Sequence, residues 1–297
     1  MKKAILPAII SALLATSAQA ATLYEVDNTS VSMSGEVDAL YKIDDGDDKN
    51  AELGTWANVQ FDLSTKVSDS VTAIGSFEVE TSDFNETDVV VDDAWIGAAT
   101  EFGTVKAGET GSSFALMEKT ELSNELDEYD AIYSDSEGTG NAVRYENSVG
   151  PVALSANYSF VAGHNDYALS ADYAVDENFN IGAAYLSDGD DDNSWGISGS
   201  VTVDALYAAA TFTDNDVEGV DFTTKALSAA YTFDLAKVYG SYQMQEFDDT
   251  GADIDHWYLG VSRDLTSNIT AFVEYSDTEV DGGEDTSMFV TGVYYAF

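Results

Sequence analysis

Cysteine is absent from the 297-residue sequence, and proline is nearly so, with Pro7 and Pro151 the only two. The first absence excludes a disulfide framework, a thiolate metal site and a cysteine nucleophile. The second leaves extended segments free of a residue that cannot donate to a strand ladder. Positive charge is also scarce, with 11 Lys+Arg against 55 Asp+Glu. Nucleic acid binding rests on Lys and Arg neutralising phosphates, so this balance excludes a nucleic-acid partner. A long apolar helix is missing too. The one apolar run, residues 4–15, is shorter than the roughly 20 residues a helical membrane span needs.

That run is flanked by Lys2 and Lys3 and followed by the small-residue site Ala18-Gln19-Ala20. Residues 1–20 therefore read as a secretory signal peptide, with residues 21–297 as the mature chain. Without Lys2 and Lys3 the charge balance is 9 against 55, a net 9 − 55 = −46. A chain this acidic could be disordered, but disordered chains lack aromatics, and this one has 17 Tyr, 14 Phe and 4 Trp.

The apolar residues fall in a period of two. Val31, Met33, Gly35, Val37, Ala39, Tyr41 and Ile43 share one phase; Ser32, Ser34, Glu36, Asp38 and Lys42 share the other, with Leu40 the exception. Similar alternation, broken by Gly, Asp, Asn and Ser clusters, predicts strands over 30–43, 53–67, 71–82, 88–101, 103–110, 140–147, 152–161 and 165–174. It continues over 179–187, 194–203, 205–213, 221–232, 236–247, 253–263, 269–278 and 286–297. That makes an even set of sixteen, joined alternately by short turns and longer acid-rich loops, as a membrane barrel requires.

A soluble acidic β-sandwich of adhesin or lectin type also alternates. Against it stand strands long enough for a tilted crossing of about 9–11 residues. Aromatics also sit near segment ends at Tyr24, Tyr41, Trp56, Trp95, Tyr158, Tyr185, Trp195, Trp257 and Tyr295, where interfacial girdles would lie. The last strand places Phe297, Tyr295, Val293 and Phe289 in one phase facing lipid and Tyr294, Gly292 and Val290 in the other. It must pair with the first strand to remove both edges. Phe297, Tyr295 and Val293 resemble the signal read by the barrel assembly machinery.

Together with these residues, the start Ala21-Thr22-Leu23-Tyr24, the segment Ala94-Trp95-Ile96-Gly97 and the run from Phe102 through Gly108 make the chain resemble a Gram-negative general diffusion porin of the trimeric type. The resemblance implies an all-β, 16-stranded antiparallel transmembrane β-barrel with an inward-folded third loop, placed in the outer membrane as a homotrimer among lipid and lipopolysaccharide. It implies passive passage of small hydrophilic solutes and ions and no enzymatic activity. The third loop corresponds to about 109–139, and Glu118, Glu121, Glu125, Asp127 and Glu128 fall where the family carries constriction acids. Asp127-Glu128 replaces the Gly-rich turn expected there.

Across the pore, where the family presents basic side chains, this sequence offers Glu36, Asp38, Asn58 and Asp92, with only Lys42, Lys66, Lys106, Arg144 and a few others to offset the acids. A carboxylate-lined passage concentrates cations, so cation preference is expected. Gly35, Gly75 and Gly97 are assigned to the outward phase, where small residues permit close subunit contact.

Two other chemistries fit the residues less well. The Asp-rich runs at 44–48, 188–192, 248–249 and 281–285 lack the full spaced calcium-loop pattern, so no cofactor is expected beyond loosely held Ca²⁺ or Mg²⁺. An outer-membrane barrel enzyme would need an acid/base set, yet His164 and His256 lie in no recognisable nucleophile motif and read as surface or girdle residues.

Overall fold

The computed structural model describes residues 21–44, 51–81, 88–126, 141–160, 166–187, 193–217, 219–247 and 253–297. The proposed signal peptide therefore lies outside the described residues. The described chain is almost entirely strand: β1 (Ala21–Val26), β2 (Thr29–Asp44), β3 (Ala51–Lys66), β4 (Val71–Thr81), β5 (Val89–Thr100) and β6 (Gly103–Gly108) precede a short 3₁₀ turn at Ser113–Met117. Next come β7 (Ala142–Val149), β8 (Val152–Ser159), β9 (Tyr167–Ala174), β10 (Phe179–Ser187), β11 (Asn193–Val203) and β12 (Leu206–Val217). Last are β13 (Val220–Thr232), β14 (Lys237–Phe247), β15 (Asp253–Asp264), β16 (Ile269–Val280) and β17 (Thr286–Ala296).

From β2 onward each strand pairs antiparallel with the next, and β17 returns to β2 with Met288 opposite Asp44 and Ala296 opposite Glu36. The sheet is thus a closed barrel. The β1 strand, which the periodicity did not single out, pairs with the first half of β2, Ala21 opposite Met33 and Val26 opposite Thr29. Hence β1 and β17 lie end to end along one edge of β2, and seventeen strands fill sixteen positions. Their junction is fixed at Gly35, whose N–H donates to the Phe297 carbonyl at 3.0 Å and whose carbonyl accepts from the Phe297 N–H at 2.9 Å.

The sixteen predicted segments are the sixteen strands β2 to β17. Their apolar phase points outward: Leu227 is 63 % exposed and Ile96 70 %, while Ser198, Thr211, Thr213, Asn215, Thr224 and Gln243 on the inner face are buried. An apolar belt of this extent around a polar interior is the inverse of a soluble sandwich, and it fits hydrocarbon outside and water within. Among the girdle aromatics, Tyr24, Tyr41, Tyr158, Tyr185, Trp195, Trp257 and Tyr295 are exposed on this belt.

Trp56 and Trp95 are not. Trp56 stands opposite the buried, inward-facing Asp38, and Trp95 carries the Lys106 Nζ 4.9 Å above its ring in the lumen. The cause of the second difference is a β-bulge. Ser76 pairs with Trp95 but Glu78 with Asp92, so Phe77 faces two residues, Asp93 and Ala94. Asp93 takes a positive φ of 49°, which Asp tolerates better than most residues. This extra residue reverses the phase of β5, bringing Asp92 and Trp95 to the same inner face. Gly97 is carried inward with them, opposite Lys106, so of the three glycines assigned outward only Gly35 and Gly75 are.

Among the described residues, apolar core clusters form where the third loop meets the inner wall. Leu40, the one break in the β2 alternation, is buried there with Leu126, Tyr239, Tyr258, Phe272 and Val290.

Candidate functional site: the loop-lined constriction

The third loop leaves β6 at Gly108, where a positive φ of 129° and the Ala94 carbonyl 2.3 Å from an added Cβ leave room only for glycine. Its first turn, Ser113–Met117, is capped by Ser112, whose Oγ accepts from the Phe114 N–H at 3.1 Å. That turn is fastened to β8: the Ser113 N–H donates to Asn157 Oδ1 at 2.6 Å, and the Ser113 and Ser155 hydroxyls lie 2.7 Å apart. Phe114 and Met117 bury themselves beside Ala168 and Ala184.

The chain then follows the inner wall. Lys119 pairs with Asp172 on β9, its carbonyl accepts from the Tyr207 hydroxyl of β12 at 2.7 Å, and Thr120 meets Thr211 at 3.3 Å. On β15 the Tyr258 hydroxyl accepts from the N–H groups of Leu122 (2.8 Å) and Ser123 (3.1 Å).

The tightest fastening is Glu274 on β16, 1 % exposed. Its carboxylate accepts from the Asn124 N–H at 2.8 Å, the Ser123 hydroxyl at 2.9 Å, the Asn124 amide at 2.9 Å, the Glu125 N–H at 3.2 Å and the Tyr239 hydroxyl at 2.6 Å. A buried carboxylate is stable only when so saturated, and each of these bonds is charge-assisted. Glu125 itself reaches across the β17–β2 seam, pairing with Lys42 at 2.8 Å and accepting from the Tyr294 hydroxyl at 3.0 Å.

The other sequence-assigned residues fall as follows. Glu118 caps the 3₁₀ turn, its N–H on the Ala115 carbonyl, and Glu121 is half-buried between Thr120 and Leu122. Asp127 and Glu128 lie outside the described residues, as does His164. On the wall, Glu36 and Asp38 (β2), Asn58 (β3) and Asp92 (β5) share the inner face, joined by Glu78 on β4. Asn58 stitches three of these strands. Its Oδ1 accepts from the Glu36 N–H at 2.7 Å and its amide donates to Glu78 Oε1 at 2.6 Å. Glu125 touches β2 itself, on the strand that bears Glu36 and Asp38, so it stands beside that wall and not across from it.

A barrel with a third loop strapped along its inner wall matches a family. The Gram-negative porin pattern fits residues 8–283. The chain belongs to the Gram-negative porin family. Outer membrane protein U of Vibrio parahaemolyticus is 25 % identical over 317 residues, covering 96 % of this chain and 92 % of that protein. A protein of Halomonas sp. named monosaccharide porin is 24 % identical over 349 residues, 99 % of this chain and 91 % of its own. In structure the chain is similar to OmpT, an outer membrane protein of Vibrio cholerae solved in a trimer form, with a TM-score of 0.79 and 18 % identity over 91 % of this chain and all of that one. The porin is thus an outer-membrane protein.

Three of the cations that the sequence leaves to offset the acids, Lys42, Lys106 and Arg144, are tied to acids in the lumen of this porin. Lys42 holds Glu125, while Lys106 at 3.1 Å and Arg144 at 3.0 Å share Glu146. Arg144 also donates to the Thr110 carbonyl at 2.9 Å, which anchors the loop root. By contrast, no described Lys or Arg lies within ion-pair distance of Glu36, Asp38, Glu78 or Asp92. Glu109, just beyond β6, registers this crowding: burial first, then the Asp92 and Asp93 carboxylates, push its acidity constant above the usual carboxylate value.

Sequence reasoning missed Glu274, Trp95 and the Lys42–Glu125 pair. The only available signal for Glu274 was its place in the inward phase of a strand, which it shares with other lumenal carboxylates. His256 is a further difference. It is buried on the inner face of β15, its Nδ1 2.8 Å from the Thr278 hydroxyl, so it belongs to neither surface nor girdle. Among the described residues no cluster of three or more His, Asp or Glu has the arrangement of a metal site.

Proposed function

We propose that this porin is a general diffusion channel that passes small hydrophilic solutes and ions, with cations preferred. One observation carries the preference: the wall formed by Glu36, Asp38, Glu78 and Asp92 has no described cation within ion-pair distance, whereas Lys42, Lys106 and Arg144 are each spent on Glu125 or Glu146. The net field at the narrowing is therefore negative, which raises local cation concentration and repels anions. At physiological ionic strength the Debye length of about 8 Å is comparable to a pore radius, whereas at 1 M it is about 3 Å, so the preference fades as salt rises.

Channel function rather than catalysis is supported by the porin family and by the relative named monosaccharide porin. Assembly as a homotrimer is supported by the trimeric form of a structural neighbour. The same reading takes residues 1–20 as a cleaved export signal and the outward phase of Phe297, Tyr295 and Val293 as the element recognised by the barrel assembly machinery. It takes the acidic outer loops as loose holders of Ca²⁺ or Mg²⁺ against lipopolysaccharide. The test is the reversal potential of the purified porin in a planar bilayer under a KCl gradient. Cation preference at low salt that diminishes toward 1 M is expected, and anion preference at low salt would sink the reading.

A further inference from the structure

Beneath the root of the constriction loop, the inner wall of β3 to β8 is hollowed into a cavity of about 470 Å³. This lies within the range of about 300–1,000 Å³ usual for small-molecule sites. Its floor is one unbroken rung of the barrel. Lys66 pairs with Thr72, Thr72 with Ala99, Ala99 with Thr104, Thr104 with Glu146, and Glu146 with Ser155. The lower rim is made by the short turns bearing Asp69 and Glu101; at the other end Ser155 meets the loop root, its hydroxyl 2.7 Å from that of Ser113.

The charge here differs from that of the acidic wall above it. Of the charged residues in the lining, Lys66 pairs with Asp69 at 2.8 Å and Glu146 is held by Lys106 and Arg144 from beside the recess, while Glu101 lies at the exposed lower rim. Above that rim the charges are paired. What the lining offers is hydroxyls interleaved with methyl and methylene surface. The Ser155 and Thr100 hydroxyls are committed to Ser113 and to the Gly103 carbonyl, and those of Ser68 and Ser70 lie 3.4 Å from each other; Thr72, Thr104 and Ser148 supply the rest, beside Ala99, Ala153 and Leu154. Alternating hydroxyl and C–H surface is the complement of a sugar ring, which presents the same mixture.

We infer that this recess is a binding subsite for a neutral polyhydroxylated solute of hexose size, met on the short-turn side of the constriction. The inference rests on the channel reading above. A solute held there lies directly under the loop root, so its residence, rather than passage through the acidic narrowing, governs flux at high concentration.

The test uses the whole porin in liposomes with glucose as the probe, KCl conductance as the control for an open channel, and acetamide as a neutral solute without hydroxyls. Glucose uptake is expected to saturate with concentration while acetamide uptake stays proportional. In the double variant T72V/T104V glucose uptake becomes proportional as well, with KCl conductance unchanged; Thr72→Ser, which keeps the hydroxyl, retains saturation. Proportional glucose uptake by the native porin with normal KCl conductance overturns the subsite and leaves the channel reading intact, and this measurement needs no variant to fold. Saturation that persists unchanged in a conducting T72V/T104V channel also overturns it. Absence of KCl conductance in the native porin overturns the channel reading, and the subsite with it.

Discussion

The two sides of the lumen are built on opposite principles. From β8 to β17 the wall is neutral and hydroxyl-rich, and it holds a loop whose polar atoms are saturated by Asn157, Tyr207, Tyr258 and Glu274. From β2 to β5 the wall is acidic; the loop reaches it only at β2, through Lys42–Glu125 and Leu40 beside Leu126, and Asn58 stitches Glu36 to Glu78. The difference teaches that the same residue type serves two ends. Glu274, enclosed by donors, spends its charge on position; Glu36 and Asp92, partly exposed in the lumen with no described cation at ion-pair distance, leave theirs to the field.

The comparison breaks most visibly at Glu274. Glu274→Ala leaves the N–H groups of Asn124 and Glu125 and the Tyr239 hydroxyl without their acceptor, at a cost of at least about 3 kcal/mol, since bonds to a charged group contribute about 1.5–3 kcal/mol each. Lower resistance to urea and a larger, noisier single-channel conductance are expected. Glu274→Gln should fall between the two, and an unchanged conductance would show that the loop stands without this anchor.

On the acidic side the largest effect is expected from the combined E36Q/D38N/E78Q/D92N variant. Its reversal potential in a KCl gradient should move most of the way to zero while urea resistance changes little. If selectivity survived this change, the field would have to come from elsewhere.

A smaller shift of opposite sign is expected from Lys42→Ala, which releases the charge of Glu125. Cation preference should rise, and equal preference in variant and native channels would show that Glu125 contributes no field.

The smallest expected effect concerns pH. Because the Glu109 carboxyl titrates above its usual value, it takes up its proton as pH falls through that raised value, earlier than a free Glu at about 4.3. Cation preference should begin to decline on acidification before that range is reached, and Glu109→Gln should remove this early part of the decline. Conversely, the raised value means that ionising Glu109 at higher pH opposes folding, so the native porin gains slightly in stability as pH drops through it.

Much of this architecture is legible in the sequence because a strand has a period of two and a membrane barrel sorts its phases over long runs. Sixteen strands, the outward phase of Tyr295 and Val293, and the long loop after β6 follow from that alone. What it conceals is local or distant. The bulge at Asp93 adds one residue without any break in composition, so Trp95 and Gly97 look outward when they are inward. The six-residue β1 is too short for a periodic signal. The anchoring of Ser123 and Asn124 by Glu274 spans about 150 residues, and a carboxylate on an inner face looks alike whether it meets water or a loop. Leu40 was the one visible clue, an apolar residue out of phase because the loop covers it.

The meeting of β1 and β17 on one edge of β2 makes the barrel a test of its own completeness. One of the sixteen positions is shared by β1 and β17, so it is filled only when both are in place. A chain lacking its last few residues would leave the Gly35 N–H and carbonyl facing hydrocarbon unpaired, at several kcal/mol for each group. An unfinished barrel is therefore marked by an edge it cannot hide, while a finished one, having no edge at all, presents nothing for another chain to extend.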